Sequence, residues 1–442
     1  MPFWKIAWRN MEQRALASSL TGLSMALGVA VMICVIVIHS VTVRQFEQDA
    51  QGYHLIVGGK SGPLQLVLST VYHLGKPDYP IPYSYYQKFS SGEFADVTKL
   101  AVPYCLGDSY EAPNGKLFRV IGTTPDLFDQ IVYQKNQDGS DRRYEFRAGR
   151  NFKADHFFEA VVGSLVAAQA GLQVGDPLNP THGITGTGEK HRQFKIVGIL
   201  APTGTANDRA VFVNIEGFYL LEGHALSRPE GVSVEELICS TPIGTANDGS
   251  PVEPLADQLR EVTSILVVCI DEFGPLVLDT AINKSKERIA QAVSPVSEVA
   301  RMLDRIVGPI RLILFVMTIL ILIVAGISIL VSIYNSMSER SHDIAVMRAL
   351  GASRRAVMSI ILVESILLSL CGGFAGMLLG HGLIALASPY VEAHTGVTLS
   401  LFQFDWQEMT LVPGLLLLAT VVGFLPALAA YRTDVAKALS AG

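Results

Sequence analysis

Charge is scarce in this chain: only 17% of its residues are Asp, Glu, Lys or Arg. The formal net charge of −6 leaves no basic excess of the kind a nucleic acid would require. Cysteine is scarcer still. Cys34, Cys105, Cys239, Cys269 and Cys371 make no CxxC pair and no regular spacing, which excludes a disulfide framework. Cys34 and Cys371 fall in long apolar runs, so at most one bridge is open to the other three, and buried free thiols are expected.

Motifs for chemistry are missing too. A phosphate-cradling loop needs two glycines five apart followed by Lys and Ser or Thr. Gly59-Lys60-Ser61 has His54 where the first glycine belongs, and the pair Gly183 and Gly188 is followed by Glu189. There is no HExxH and no GxSxG. His156, His182, His191 and His224 have Asp155 and Asp176 nearby in sequence, but no pair has the spacing of a metal motif. They are expected to be surface or core histidines, and no metal site is assigned. Tyr83, Tyr85 and Tyr86 with Pro80 and Pro82 either line a groove or serve turn and core packing, the second being expected. These gaps set the expectation that the chain is not an enzyme.

What the chain has in abundance is apolar length. Half of its residues are hydrophobic. The runs 20–43, 312–333, 360–384 and 410–430 each reach the roughly 20 residues that cross a bilayer. The first is too long for a signal peptide and is followed by Arg44-Gln45-Phe46-Glu47, not by a small-residue cleavage site. Residues 1–19 carry Trp4, Lys5, Trp8, Arg9, Met11 and Arg14 and read as a short interfacial helix, or as a plain positive flank to the first span.

Between residues 44 and 311 no run is long enough to span, and short apolar stretches alternate with Gly and Pro turns. The fold class expected is an α-helical membrane protein with four transmembrane helices and a large α+β domain between the first and second. Strands are expected at 54–57, 97–104, 118–121, 160–162, 194–199, 210–213, 236–239 and 263–269, and helices at 64–72, 83–89, 164–170 and 214–222. Residues 280–305 read as largely helical, with Ile282, Ile289, Val293 and Val296 in a stripe that Pro295 kinks or breaks, forming a stalk into the second span.

Charge placement orients the spans. Basic residues gather at the N-terminus, between the second and third spans and in the tail 431–442, where Arg432 and Lys437 stand. The loop 385–409 holds Glu392, His394, Asp405 and Glu408 but no Lys or Arg. Both termini are therefore expected inside. In the third span, Gly372, Gly376 and Gly380 recur every fourth residue and allow a close helix contact, either a seam between two copies or an internal one. Glu364 is an expensive group inside a span, expected to be structural, and His381 is expected to be interfacial.

The stretch 335–355 organises the rest. Arg340, Arg348, Arg354 and Arg355 make it the most basic short loop between spans. Ser336 or Ser338 is expected to cap a surface helix of about four turns, Glu339 to lie in its first turn, Gly351 to end it and Ser353 to cap the next helix. Ile344, Val346, Met347 and Leu350 put apolar groups beside Arg340, Asp343 and Arg348. Such a helix faces a membrane surface or a partner protein, unless it is a solvated loop.

Glu339-Arg340, Asp343-Ile344 and Arg348-Ala349-Leu350-Gly351-Ala352 resemble the coupling segment of the FtsX/MacB family of ABC transporter permeases, the mechanotransmission type. The family usually has Glu where Asp343 stands and Gly where Ala345 stands. Gly122-Thr123-Thr124-Pro125-Asp126-Leu127-Phe128, Val161-Val162-Gly163-Ser164 with Gly171 to Asp176, and Ile196 to Leu200 resemble its extracytoplasmic domain. Pro426-Ala427 and Ala430-Tyr431-Arg432 through Ala438-Leu439 resemble its C-terminal end, with Val435 where Pro is usual.

The resemblance implies a permease subunit without a fused ATPase domain, in the inner membrane of a bacterium, with a periplasmic domain at 44–311 whose inserted lobe lies at about 106–221 and whose stalk lies at 280–305. It implies a cytoplasmic coupling helix within 334–359, docking on an ABC ATPase through Glu339, Arg340, Asp343, Ile344, Met347, Arg348, Leu350 and Gly351. No cofactor would bind this chain; ATP and Mg would sit on the partner. Two ATPase copies would serve a homodimer of this chain, with a periplasmic adaptor or a lipoprotein as a further partner. The implied function is ATP-driven export or extraction of a lipoprotein, peptide or small molecule at the outer face. The alternative is a signalling subunit that regulates a periplasmic partner such as a cell-wall hydrolase.

Overall fold

The computed structural model describes residues 3–49, 52–75, 79–135, 140–228, 233, 236–339, 341–395 and 406–432. It divides into a helical unit and a mixed α and β domain that holds residues 44–305.

Four helices are long and apolar enough to cross a membrane, with candidate segments at Ala15–Val41, Pro295–Asn335, Arg354–Val391 and Glu408–Leu425. Large apolar side chains on their outer faces stay exposed, among them Leu16, Leu20, Leu312, Ile313, Leu386 and Leu417. Such a surface suits lipid rather than water. A short helix, Phe3–Gln13, precedes the first of them, with Phe3, Trp4 and Trp8 exposed and Ala7 buried.

The domain is built on a 10-stranded sheet. One 14-residue strand, Thr98–Glu111, holds it together. Its first half pairs antiparallel with Ser264–Cys269, as in Tyr104 opposite Ser264. Its second half pairs antiparallel with Leu117–Thr123, as in Cys105 opposite Gly122. Beyond Ser264–Cys269 lie Leu55–Gly59 and then Ala290–Val293, both antiparallel. On the other side Leu117–Thr123 pairs parallel with Ala210–Asn214, followed by Glu159–Val162, Phe194–Leu200 and Phe146–Gly149. Leu55–Gly59, Glu159–Val162 and Ala210–Asn214 are buried along their whole length. Cover on both faces is why they read as unbroken apolar runs and not as alternating ones.

Two expectations fail here. Residues 280–305 are not one helical stalk: a helix ends at Asn283, Ala290–Val293 is a strand, and a new helix starts at Pro295. The apolar stripe fits a helix, but the sheet claims the middle of it. The Asn283 amide fixes the break, donating to Ala292 O at 2.9 Å and accepting from Ala292 N at 3.0 Å. Residues 236–239 form no strand, and Cys239 is exposed. All five cysteines are free thiols, with Cys105 and Cys269 buried.

Tyr85 is buried, and Tyr83 and Tyr86 pack against the core, so this stretch serves packing. Over Tyr83 and Tyr219 lies the Arg260 guanidinium, 5.2 and 5.4 Å from the ring centroids. Its side chain is wholly buried and meets Glu216 Oε1 at 3.0 Å and Thr241 Oγ1 at 3.0 Å.

Candidate functional site

The turn between the second and third long helices is closed where it joins the third. The second helix, Gly308–Glu339, runs through Ser336 and Ser338, so neither caps a new helix. A separate short helix follows at Ser341–Ala349. Gly351 ends it with φ +103°, a conformation that costs a residue with a side chain about 1–2 kcal/mol. Gly351 N donates to Arg348 O at 3.1 Å and Ala352 N to Met347 O at 3.0 Å. This bond pair is the Schellman closure, which satisfies carbonyls a helix end leaves open. Ser353 then caps the third helix, its Oγ accepting from Ala356 N at 3.2 Å.

Ala345 is buried and Met347 is half-buried against the core of the helical unit. Leu350 is 85% exposed and Val346 is exposed as well. The turn is thus anchored on one side and presents an apolar tip on the other. Among the predicted contact residues, Met347, Arg348, Leu350 and Gly351 are described in full. Glu339, Asp343 and Ile344 are described as helix backbone, and Arg340 lies outside the described residues.

The glycine stripe of the third helix, Arg354–Thr395, faces the first helix, Ala15–Asp49. A Cβ at Gly372 would lie 2.8 Å from Met25 Cβ, one at Gly376 2.5 Å from Ala26 O, and one at Gly380 3.0 Å from Ile33 Cβ. This resolves the choice left open by the spacing: the stripe makes an internal contact. About two turns before the stripe, Ser365 Oγ donates to Ala419 O of the fourth helix, Leu411–Arg432, at 3.2 Å. Glu364 is buried beside it. His381 Nε2 lies 3.4 Å from Glu408 Oε2, so the histidine expected at the interface has a buried acidic neighbour.

In the domain, four groups distant in sequence converge. Asp108 follows a bulge at Gly107 in the long strand, where the pairing register shifts. Its carboxylate lies 3.7 Å from His182 Nδ1, 3.4 Å from His191 Nε2 and 3.1 Å from His224 Nε2. The three imidazole centroids stand 5.2 to 5.3 Å apart. The loop carrying His182 and His191 is pinned to the strand by Thr181, whose N donates to Ser109 O at 2.7 Å and whose O accepts from Ser109 N at 3.1 Å. His191 N donates to Pro180 O at 2.7 Å, closing that loop on itself. His224 packs on Phe218, ring centroids 4.3 Å apart. Burial lowers the His191 pKa, against the pull of Asp108.

Two family models cover most of the chain. The MacB-like periplasmic core domain matches residues 18–262, more than half of the sequence, and the FtsX-like permease C-terminal matches residues 315–435. The chain belongs to the FtsX/MacB family of ABC transporter permeases. Curated relatives of this permease agree. The uncharacterized ABC transporter permease MJ1507 of Methanocaldococcus jannaschii is 24% identical over 291 residues, 64% of this chain and 61% of that one. The macrolide export ATP-binding/permease protein MacB of Rhodopirellula baltica is 27% identical over 150 residues, 34% of this chain and 21% of that one. The uncharacterized ABC transporter permease YknZ of Bacillus subtilis is 31% identical over 147 residues, 31% of this chain and 35% of that one. The permease spans less than two thirds of the length of each of these relatives.

The structure of the permease therefore holds two kinds of site. The turn and the glycine stripe were readable from spacing, because residues near in sequence form them. The Asp108 cluster was not. His182 and His191 come from one loop, but His224 and Asp108 come from a helix end and a strand bulge that only the folded sheet brings together. His156, grouped with them in the sequence, lies elsewhere, bridging to Thr245. The available signal was slight: His182, His191 and His224 are three of the six histidines between residues 44 and 305.

Proposed function

We propose that this permease couples ATP hydrolysis on an ABC ATPase to a change of shape in its large extramembrane domain. The observation that carries the reading is the turn at Ser341–Ala349. A force delivered there has to reach the spans without being absorbed, and the turn is closed where it meets the third helix, by Gly351 and then by Ser353. Leu350 stands exposed at its tip, as an apolar knob for a partner groove. No P-loop occurs in these 442 residues, so the nucleotide and its Mg would belong to the ATPase.

In this reading two copies of the permease work with two ATPase subunits, the turn faces the cytoplasm and the domain faces the periplasm. Closure of the ATPase pair pushes the turns, and the third helix passes the displacement to the first helix through the Gly372, Gly376 and Gly380 contact. The domain connects directly to the first and second helices and follows them. The work done is export or extraction of a lipoprotein, peptide or small molecule at the outer face. Macrolide export in the name of the Rhodopirellula baltica relative supports transport over signalling.

The test is purification of the permease from its native membrane in mild detergent, with Leu350→Asp in parallel. An ATPase subunit should accompany the wild type and be lost from the variant. Because Leu350 is exposed, the variant should keep its stability to within about 0.5 kcal/mol. An ATPase retained by Leu350→Asp would overturn the docking site. ATP-dependent movement of substrate in vesicles would then separate transport from signalling.

A further inference from the structure

We propose that the domain binds a divalent zinc ion through His182, His191, His224 and Asp108. The donor set is three imidazole nitrogens and one carboxylate oxygen, and one such atom from each residue lies within 4.8 Å of all the others. A tetrahedral ion with bonds near 2.0 Å holds its ligand atoms about 3.3 Å apart. From Asp108 Oδ2 the separations to His224 Nε2 and His191 Nε2 are 3.1 and 3.4 Å, around that edge length, and His182 Nδ1 lies 3.7 Å from the other oxygen, Oδ1.

The reason to expect an ion is the state of Asp108. Its side chain is wholly buried, and neither carboxylate oxygen has a hydrogen-bond partner. The facing nitrogens His191 Nε2 and His224 Nε2 are likewise buried without one. An anion buried beside unpartnered imidazole nitrogens is costly as it stands. A divalent cation at the centre of the group engages one of these carboxylate oxygens and both nitrogens at once. Imidazole and carboxylate without sulfur suit Zn²⁺ among the abundant divalent ions, and four protein ligands close its tetrahedron. The site is then structural, with no open position for a substrate.

Its effect follows from where the ligands stand. His182 and His191 lie on the loop that follows Pro177–Leu178, Asp108 on the bulge of the strand shared by both halves of the sheet, and His224 just beyond the helix Ile215–Tyr219. Zinc would tie these three segments together, so metal supply would set how firmly they are held. This goes beyond the coupling reading and does not depend on it.

The experiment uses the full chain in mild detergent, purified without a polyhistidine tag, stripped with a chelator and re-equilibrated with Zn²⁺. Metal is counted by mass spectrometry and affinity is measured by competition with a chromophoric chelator. About one zinc per chain is expected for the wild type and for His156→Gln. Asp108→Asn and His224→Gln should bind at least about 100-fold more weakly. His182→Gln, which alters the most exposed ligand, should weaken binding at least about 10-fold and keep the native circular dichroism. Zinc should raise the unfolding temperature of the wild type and leave that of the ligand variants unchanged. The proposal falls if the wild type holds no more zinc than Asp108→Asn, which would make the cluster a set of shared protons. It falls equally if His156→Gln loses the metal. If the buried variants fail to fold, His182→Gln decides: unchanged affinity there overturns the site.

Discussion

In the helical unit close contact is made where side chains are missing, as at Gly376 against Ala26, with no room for a Cβ. In the domain one of the largest fully buried side chains, Arg260, fills the space between Glu216 and two tyrosine rings. The contrast follows from the surroundings. Between helices in lipid no apolar area leaves water on contact, so association depends on close van der Waals approach, and small residues permit it. A water-soluble domain gains by burying large side chains, and it tolerates a buried charge only when every donor finds an acceptor.

The largest effect that would sharpen this comparison is expected in the domain. Arg260→Met leaves the Glu216 carboxylate buried without its cation and should cost about 3–5 kcal/mol. Denaturant unfolding followed by amide exchange along Ser264–Cys269 measures it. Adding Glu216→Gln should restore much of the loss, since the orphaned charge goes with it. A single variant within about 1 kcal/mol of wild type would break the comparison.

The counterpart in the helical unit is Gly376→Leu. The new side chain would run into Ala26 and Val29, with an expected cost of about 3 kcal/mol. Trp4, Trp8 and Trp406 all belong to the helical unit, so tryptophan fluorescence reads its unfolding. Gly382→Ala is the matched control. Nothing lies within 4 Å of its Cβ, so it should be neutral or stabilise by up to about 1 kcal/mol. Equal losses from both variants would break the comparison, because close contact predicts a loss only at Gly376.

A smaller effect comes from His73, whose Nε2 pairs with Asn207 Oδ1 at 2.9 Å. Burial lowers its pKa from 6.5 to about 4. The unfolded chain therefore takes up a proton that the folded domain refuses between these values. The stability tied to the neutral ring is complete above 6.5 and is lost as pH falls toward 4, about 2 kcal/mol of it by pH 5. Unfolding measured at pH 7 and at pH 5 should show this loss in the wild type, and His73→Gln should remove that part of it. An unchanged difference between the two pH values in the variant would assign the loss to other groups.

How much of this was legible in the sequence differs between the two regions. Long apolar helices, the Gly351 ending and the Ser353 cap follow from residues within a few positions of one another, and each was readable from spacing. Strands buried on both faces were also readable, because an apolar run such as Ala210–Val213 has few other uses. Residues 280–305 misled because an apolar stripe at helical spacing says nothing of which sheet edge lies nearby. Ala290–Val293 is a strand only because Leu55–Gly59 offers it a ladder.

The sequence alone determined which stretches are too apolar for water and where backbone has to bend, since hydropathy and φ preference belong to single residues and their near neighbours. It also carried the family likeness, through short phrases with fixed internal spacing. The tertiary structure alone decided which helix the Gly372 to Gly380 stripe meets, what stacks on Arg260, and that Asp108 stands among three histidines. These are contacts between segments far apart in the chain. No local preference encodes them, because the partner is chosen by the packing of the whole sheet or the whole bundle.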